Sequence, residues 1–152
     1  MMPRPLGHPV RIIIHHTVTP TDWSAARINE LHRPRFGGIG YHALIRQAAG
    51  GDWIVEDGRD DDNLGAHTRG NNTGSLGVAI AGDYSAGPPA PGAIGMAIGQ
   101  CLAWCLQYGI DPQEIHGHRH APGGLTATVC PGQTPIDQIR AAVAAALAAL
   151  RH

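Results

Sequence analysis

Ten histidines in 152 residues are the chemically richest feature of this chain, because imidazole serves both as a metal ligand and as a proton carrier. Six of them stand out in three groups: His15-His16, His42 within Gly40-Tyr41-His42, and His116-Gly117-His118-Arg119-His120. Cys130 follows His118 by 12 positions, and Pro122, Gly123 and Gly124 between them let the chain fold back. Zinc takes four tetrahedral ligands, and a catalytic site supplies three from protein and leaves the fourth for water. One strand-end histidine with His118 and Cys130 would make such an open site. His15 and His16 cannot both face one ion if they sit on a strand, whereas His116, His118 and His120 can share a side, so spacing leaves the ligand choice open.

These groups need a scaffold. Arg11-Ile12-Ile13-Ile14-His15-His16 reads as a buried central strand that ends at Thr17-Val18-Thr19-Pro20. A helical pattern runs from Asp22 to about His32, with Thr21 or Asp22 as cap and Pro34 as stop. Tyr41–Arg46 and Trp53–Glu56 read as a hairpin joined through Gly50-Gly51, and Leu76–Ala81 as another buried strand. Pro91–Tyr108 carries Ile94, Ile98, Cys101 and Cys105 on one helical stripe, with Gly109 placed as its terminator. A last helix starts from Thr134 as cap and Pro135, with Ile136, Ile139, Val143, Leu147 and Leu150 on one face. Strands interleaved with helices predict one α/β domain with a central sheet, and between the last two helices lies a long loop suspected of function.

Composition excludes several chemistries. All 11 basic residues are arginine, so no lysine exists for a P-loop, a Schiff base or an amine base. A net charge of −1 argues against nucleic acid as the main partner. No apolar run reaches the roughly 20 residues of a membrane span, and the amino terminus lacks a signal-peptide core, which predicts cytoplasmic synthesis and no stable membrane association. Three cysteines disfavour a disulfide framework; Cys101 and Cys105 are expected to be buried. His16 and His42 are expected to make structural hydrogen bonds, with His42 facing away from Tyr41, and Asp60-Asp61-Asp62 to form a solvated turn. Trp23, Trp53 and Trp104 fit core or groove equally. The zinc-deaminase pattern is absent, since His120 follows Arg119 where H-x-E needs glutamate.

In order, Ile12-Ile13-Ile14-His15-His16-Thr17, Ile39-Gly40-Tyr41-His42, Gly65-Ala66-His67-Thr68-Arg69-Gly70-Asn71-Asn72, Ser75–Ile80, Gly117-His118-Arg119 and Thr126–Gly132 resemble the zinc-dependent N-acetylmuramoyl-L-alanine amidases, which include phage lysins and peptidoglycan-recognition proteins. The resemblance implies a single domain over residues 11–152, after an N-terminal extension 1–10, with a central mixed β-sheet flanked by helices. It implies one Zn2+ per chain on His15, His118 and Cys130. Tyr41 and Thr128 take the places of the residues beside the reacting amide. Thr128 stands where some phage members carry lysine and many recognition-type amidases carry threonine. His67, Arg69 and Asn72 match a segment bordering the substrate groove. The implied activity is hydrolysis of the amide between the muramyl lactyl group and L-alanine of bacterial peptidoglycan, by a monomer acting like a phage endolysin after holin-type release to the wall. Retention of Cys130 favours this over a non-catalytic peptidoglycan-recognition module, since family members that bind without cutting often lack it.

Overall fold

The computed structural model describes residues 4–122 and 127–151. Gly123 and Gly124, expected to turn the loop back, and Thr126 of the final motif lie outside the described residues. In chain order the elements are β1 (Arg11–His16), α1 (Ala25–Phe36), β2 (Ala43–Gln47), β3 (Trp53–Asp57), β4 (Ser75–Ile80), α2 (Pro91–Tyr108), β5 (Ile115–Gly117) and α3 (Ile136–Leu150). They form one sheet in the order β3-β2-β4-β1-β5, parallel except for the β2–β3 hairpin. The expected α/β domain with a central mixed sheet flanked by helices is what the chain adopts.

Hydrophobicity explains which strands are central. β1 and β4 carry near-continuous apolar runs because both of their faces are covered. On one face Ile12, Ile14, Val78 and Ile80 pack with Ala97, Cys101 and Trp104 of α2 and with Ile139 and Val143 of α3. On the other, Ala79 and Leu44 pack with Ile28 of α1. Cys101 and Cys105 are buried as expected, and Trp104 joins the core while Trp53 packs at its edge. The described residues before Arg11 are packed onto this domain. Leu6 is fully buried, and its N–H donates to Asp62 O at 2.9 Å while its carbonyl accepts from Gly74 N at 3.0 Å.

Several element ends differ from expectation for local reasons. α1 starts at Ala25 because Ser24, not Thr21 or Asp22, caps it by accepting from Arg27 N at 3.2 Å. Pro34 does not stop it; the proline sits in the last turn, and the helix closes at Gly37, whose φ of 77° suits glycine and whose N–H donates to Arg33 O. Thr134 does not cap α3, since its hydroxyl donates to Pro131 O at 2.8 Å. Leu150 leaves the buried stripe of α3 and is 62% exposed. Asp61 is more than a solvated turn: it accepts from Trp104 Nε1 at 3.1 Å and from the Tyr108 hydroxyl at 3.0 Å.

The long loop between α2 and α3 contains β5, a strand of 3 residues with no sequence periodicity to announce it. It pairs in parallel with β1 through Ile12↔Ile115, Ile13↔His116 and Ile14↔Gly117. This short pairing sets the carboxyl ends of β1 and β5 side by side, the edge at which parallel α/β sheets place their ligands.

Candidate metal centre

His15 leaves the carboxyl end of β1, and His118 directly follows β5. Their rings are therefore neighbours, with centroids 4.7 Å apart. Cys130 arrives from the segment before α3, its Sγ lying 3.7 Å from His15 Nδ1. The donor atoms of His15, His118 and Cys130 all lie within 4.8 Å of one another. With ordinary zinc–nitrogen and zinc–sulfur bonds, the N–S edge of a tetrahedral site is about 3.6 Å. Two imidazoles and one sulfur at this spacing fit Zn2+, with one coordination position open.

The cysteine is held by its own loop. Its N–H donates to Thr128 Oγ1 at 3.1 Å, its carbonyl accepts from Arg119 N at 2.8 Å, and the Arg119 guanidinium donates to Gly132 O. The His16 N–H donates to Sγ at 3.3 Å. Burial pushes the Cys130 thiol up to about 11, against the opposing pull of that N–H and of Arg119. A cation held there must displace the thiol proton. Burial also holds His15 well below the ordinary imidazole value, with His67, His118 and His16 adding to it, and lowers His118 as well. Neutral imidazole is the form that ligates metal.

Tyr41 packs its ring on His15 at 5.2 Å between centroids. Burial, and secondarily Cys130, raise its phenol above the ordinary value, so the hydroxyl keeps its proton at neutral pH. His42 does not face away from Tyr41 as strand alternation suggested, because β2 begins only at Ala43; its ring lies 5.7 Å from that of His67, on the site's side. Of the three residues assigned to a substrate groove, only Arg69 is exposed. His67 is 8% exposed behind His15, with His67 Nδ1 3.0 Å from His15 Nε2 and His67 Nε2 3.2 Å from Ser75 O. Asn72 Oδ1 accepts from the N–H groups of His67 and Thr68 at 3.0 and 2.8 Å, a turn-forming role. Sequence reasoning had no signal for His67 beneath His15, since 52 positions separate them and only the sheet brings them together.

His16 makes the expected structural bond, its Nδ1 accepting from Tyr84 N at 3.0 Å. His42 does likewise: Nδ1 accepts from Gly77 N at 3.0 Å, which leaves the proton on Nε2 to donate to Asn63 O at 2.8 Å. Protonating His42 would abolish the first bond. Burial, with Arg59 adding, lowers its pKa below the ordinary 6.5, although Asn63 and Asp61 pull upward. Above 6.5 the ring is neutral folded and unfolded; below it the unfolded chain takes up a proton that the folded ring resists, so stability is lost as pH falls. The urea midpoint is expected to drop between pH 7.5 and pH 5.5, and the drop to shrink in His42→Gln, with a ceiling of about 1.4 kcal/mol per pH unit for the one group. Equal pH dependence in both proteins would contradict it.

Val18, three residues beyond His15, has φ of 56° although it is β-branched and 60% exposed. Its N–H donates to Gly82 O at 2.9 Å, which holds the chain in that strained form. Asparagine tolerates this region far better. Val18→Asn is expected to stabilise the protein by about 1 kcal/mol, a rise of about 2–4 °C in Tm. An unchanged or lower Tm would mean that the valine side chain compensates the strain.

Residues 6–133 match the family described as N-acetylmuramoyl-L-alanine amidase. The chain belongs to that family. A human relative named N-acetylmuramoyl-L-alanine amidase is 31% identical to this family member over 149 residues, covering 90% of this chain and 24% of the human protein. The chain thus spans about a quarter of that relative's length. Among solved structures, the endolysin N-acetylmuramoyl-L-alanine amidase LysCS of Clostridium intestinale superposes with a TM-score of 0.80 at 26% identity, over 93% of this chain and 87% of that one. Drosophila peptidoglycan-recognition protein SD gives 0.76 at 26% identity, over 92% and 85%. The amidase-family fold expected from the motifs is therefore the fold this chain has.

Proposed function

We propose that this chain is a zinc-dependent N-acetylmuramoyl-L-alanine amidase of endolysin type, cutting the amide that joins the muramyl lactyl group to L-alanine. The observation that carries this is the cluster of His15, His118 and Cys130 donor atoms within 4.8 Å, with the Tyr41 ring packed on His15. One Zn2+ held by these three side chains would supply a Lewis acid that acidifies water and polarises a carbonyl.

The protein's own groups divide the remaining work. Tyr41 keeps its hydroxyl protonated, so it donates a hydrogen bond to the oxygen that becomes negative as the amide carbonyl turns tetrahedral, and it is no base. The Thr128 oxygen accepts from Cys130 N, which orients the hydroxyl and leaves its own proton to donate to the same oxygen. Arg69, exposed and two positions after His67, is the groove residue available for the acidic groups of a stem peptide. The partner is bacterial peptidoglycan, and the acting species a monomer. No described helix is long and apolar enough to cross a membrane. Synthesis in the cytoplasm followed by holin-type release would bring an endolysin-type enzyme to the wall.

Purified peptidoglycan digested with the zinc-loaded protein, against a chelated control, tests this by mass spectrometry. Metal-dependent release of stem peptides beginning with L-alanine, without new reducing sugar ends, is expected. An intact wall with measurable muropeptide binding would replace the enzyme with a recognition module, and new reducing ends would mean a different bond.

A further inference from the structure

His67 is enclosed beneath the metal centre in a way that substrate contact does not explain. A Cβ on Gly77 would stand 2.6 Å from its Cγ, and one on Gly65 would stand 2.5 Å from its Cδ2. Two glycines, one of them in the middle of the central strand β4, thus make the slot into which this imidazole fits. Both ring nitrogens are used inside it. The Ser75 carbonyl can only accept, so the His67 proton sits on Nε2, 3.2 Å away. His67 Nδ1 then carries a lone pair, and His15 Nε2 lies 3.0 Å from it. Two bare nitrogens at that distance would oppose their lone pairs, so His15 must carry its proton on Nε2. Thr68 Oγ1, at 3.0 Å from His67 Nδ1 and 3.4 Å from His15 Nε2, can donate to the former or accept from the latter without altering that result. His15 Nδ1 is left bare, and it is the nitrogen that stands 3.7 Å from Cys130 Sγ.

We infer that His67 is a positioning residue whose ring, locked by Ser75 O and the two glycines, sets the Nε2–H tautomer of His15 and so presents His15 Nδ1 to the metal. A ligating histidine ordinarily hands its second N–H to a carboxylate or a carbonyl. Here a second neutral imidazole, that of His67, accepts it at Nδ1 and donates its own Nε2–H to the Ser75 carbonyl. The inference rests on His15 being a zinc ligand. It removes His67 from the substrate groove.

Ring-nitrogen NMR of the 15N-labelled, metal-free protein reads the tautomer directly, before any zinc is added. The expected spectrum has His15 and His67 both protonated on Nε2. A His15 ring protonated on Nδ1 would overturn the inference. Zinc affinity, read by competition with a chromophoric chelator, is expected to fall about 10- to 100-fold in His67→Leu. It should recover in part in His67→Gln, whose amide can accept from His15 and donate to Ser75 O. Circular dichroism verifies folding, and the wild-type tautomer stands as a test even if His67→Leu does not fold. A folded His67→Leu that binds zinc as tightly as wild type would also overturn the inference, whereas a wild type that binds no zinc would instead remove the metal-centre reading on which it rests.

Discussion

Cys130→Ser is expected to abolish amide cleavage and to weaken zinc binding together. The sulfur is the one donor of the three that can bring a negative charge, and it sits 3.7 Å from His15 Nδ1 in a buried corner where the His16 N–H already points at it. A serine hydroxyl does not ionise near neutral pH and bonds a borderline-soft cation poorly, so only two neutral imidazoles remain. The fold should survive, because the loop is also held by bonds that do not use the sulfur: Arg119 N to Cys130 O and Cys130 N to Thr128 Oγ1. Losing an anionic ligand is expected to cost at least about 10³-fold in zinc affinity, on the scale of roughly 10–16 kcal/mol that structural zinc sites supply. Chelator competition and release of L-alanine-headed peptides should fail in parallel. Retained cleavage with lost zinc would refute the metal-centre reading, and retained muropeptide binding without cleavage in the wild type would mark a recognition module.

Tyr41→Phe is expected to separate chemistry from metal binding. The phenylalanine ring keeps the 5.2 Å packing on His15, so zinc affinity and Tm should stay near wild type. What disappears is the protonated donor that the proposed mechanism directs at the reacting carbonyl, and removing a donor of that kind costs about 10²–10³ in kcat. The loss should fall on kcat rather than KM, since the developing charge exists only in the transition state. A kcat within a factor of about three of wild type would leave Tyr41 a packing residue and shift the donor role to Thr128. A matching loss of zinc would show instead that the hydroxyl supports His15.

The residue types at 15, 41, 118, 128 and 130 are legible from sequence because they occur in ordered motifs, and the strands and helices around them because apolar periodicity spans enough residues to be unambiguous. α2 runs from Pro91 to Tyr108 and ends at Gly109 as its composition dictates. β1 and β4 announce themselves as buried by continuous β-branched or aliphatic runs. Weak or competing local signals misled: a proline in the last turn of α1 looked like a stop, and Thr134 looked like a cap although Pro131 O was its nearer partner.

The sequence by itself determined the candidate donor residues, the absence of any lysine chemistry, the α/β class and the burial of β1 and β4, because each depends on residue type or on short-range periodicity. Only the tertiary structure decided which histidine stands behind which. β5 offers three residues with no period, yet its pairing with β1 is what puts His118 beside His15. His67 looked like a groove residue, yet the close approach permitted by Gly65 and Gly77 draws it under the sheet edge and against His15. Hydrogen bonds between residues 52 positions apart leave no trace in local pattern, because strand order, register and the space left by absent side chains exist only once the chain has folded.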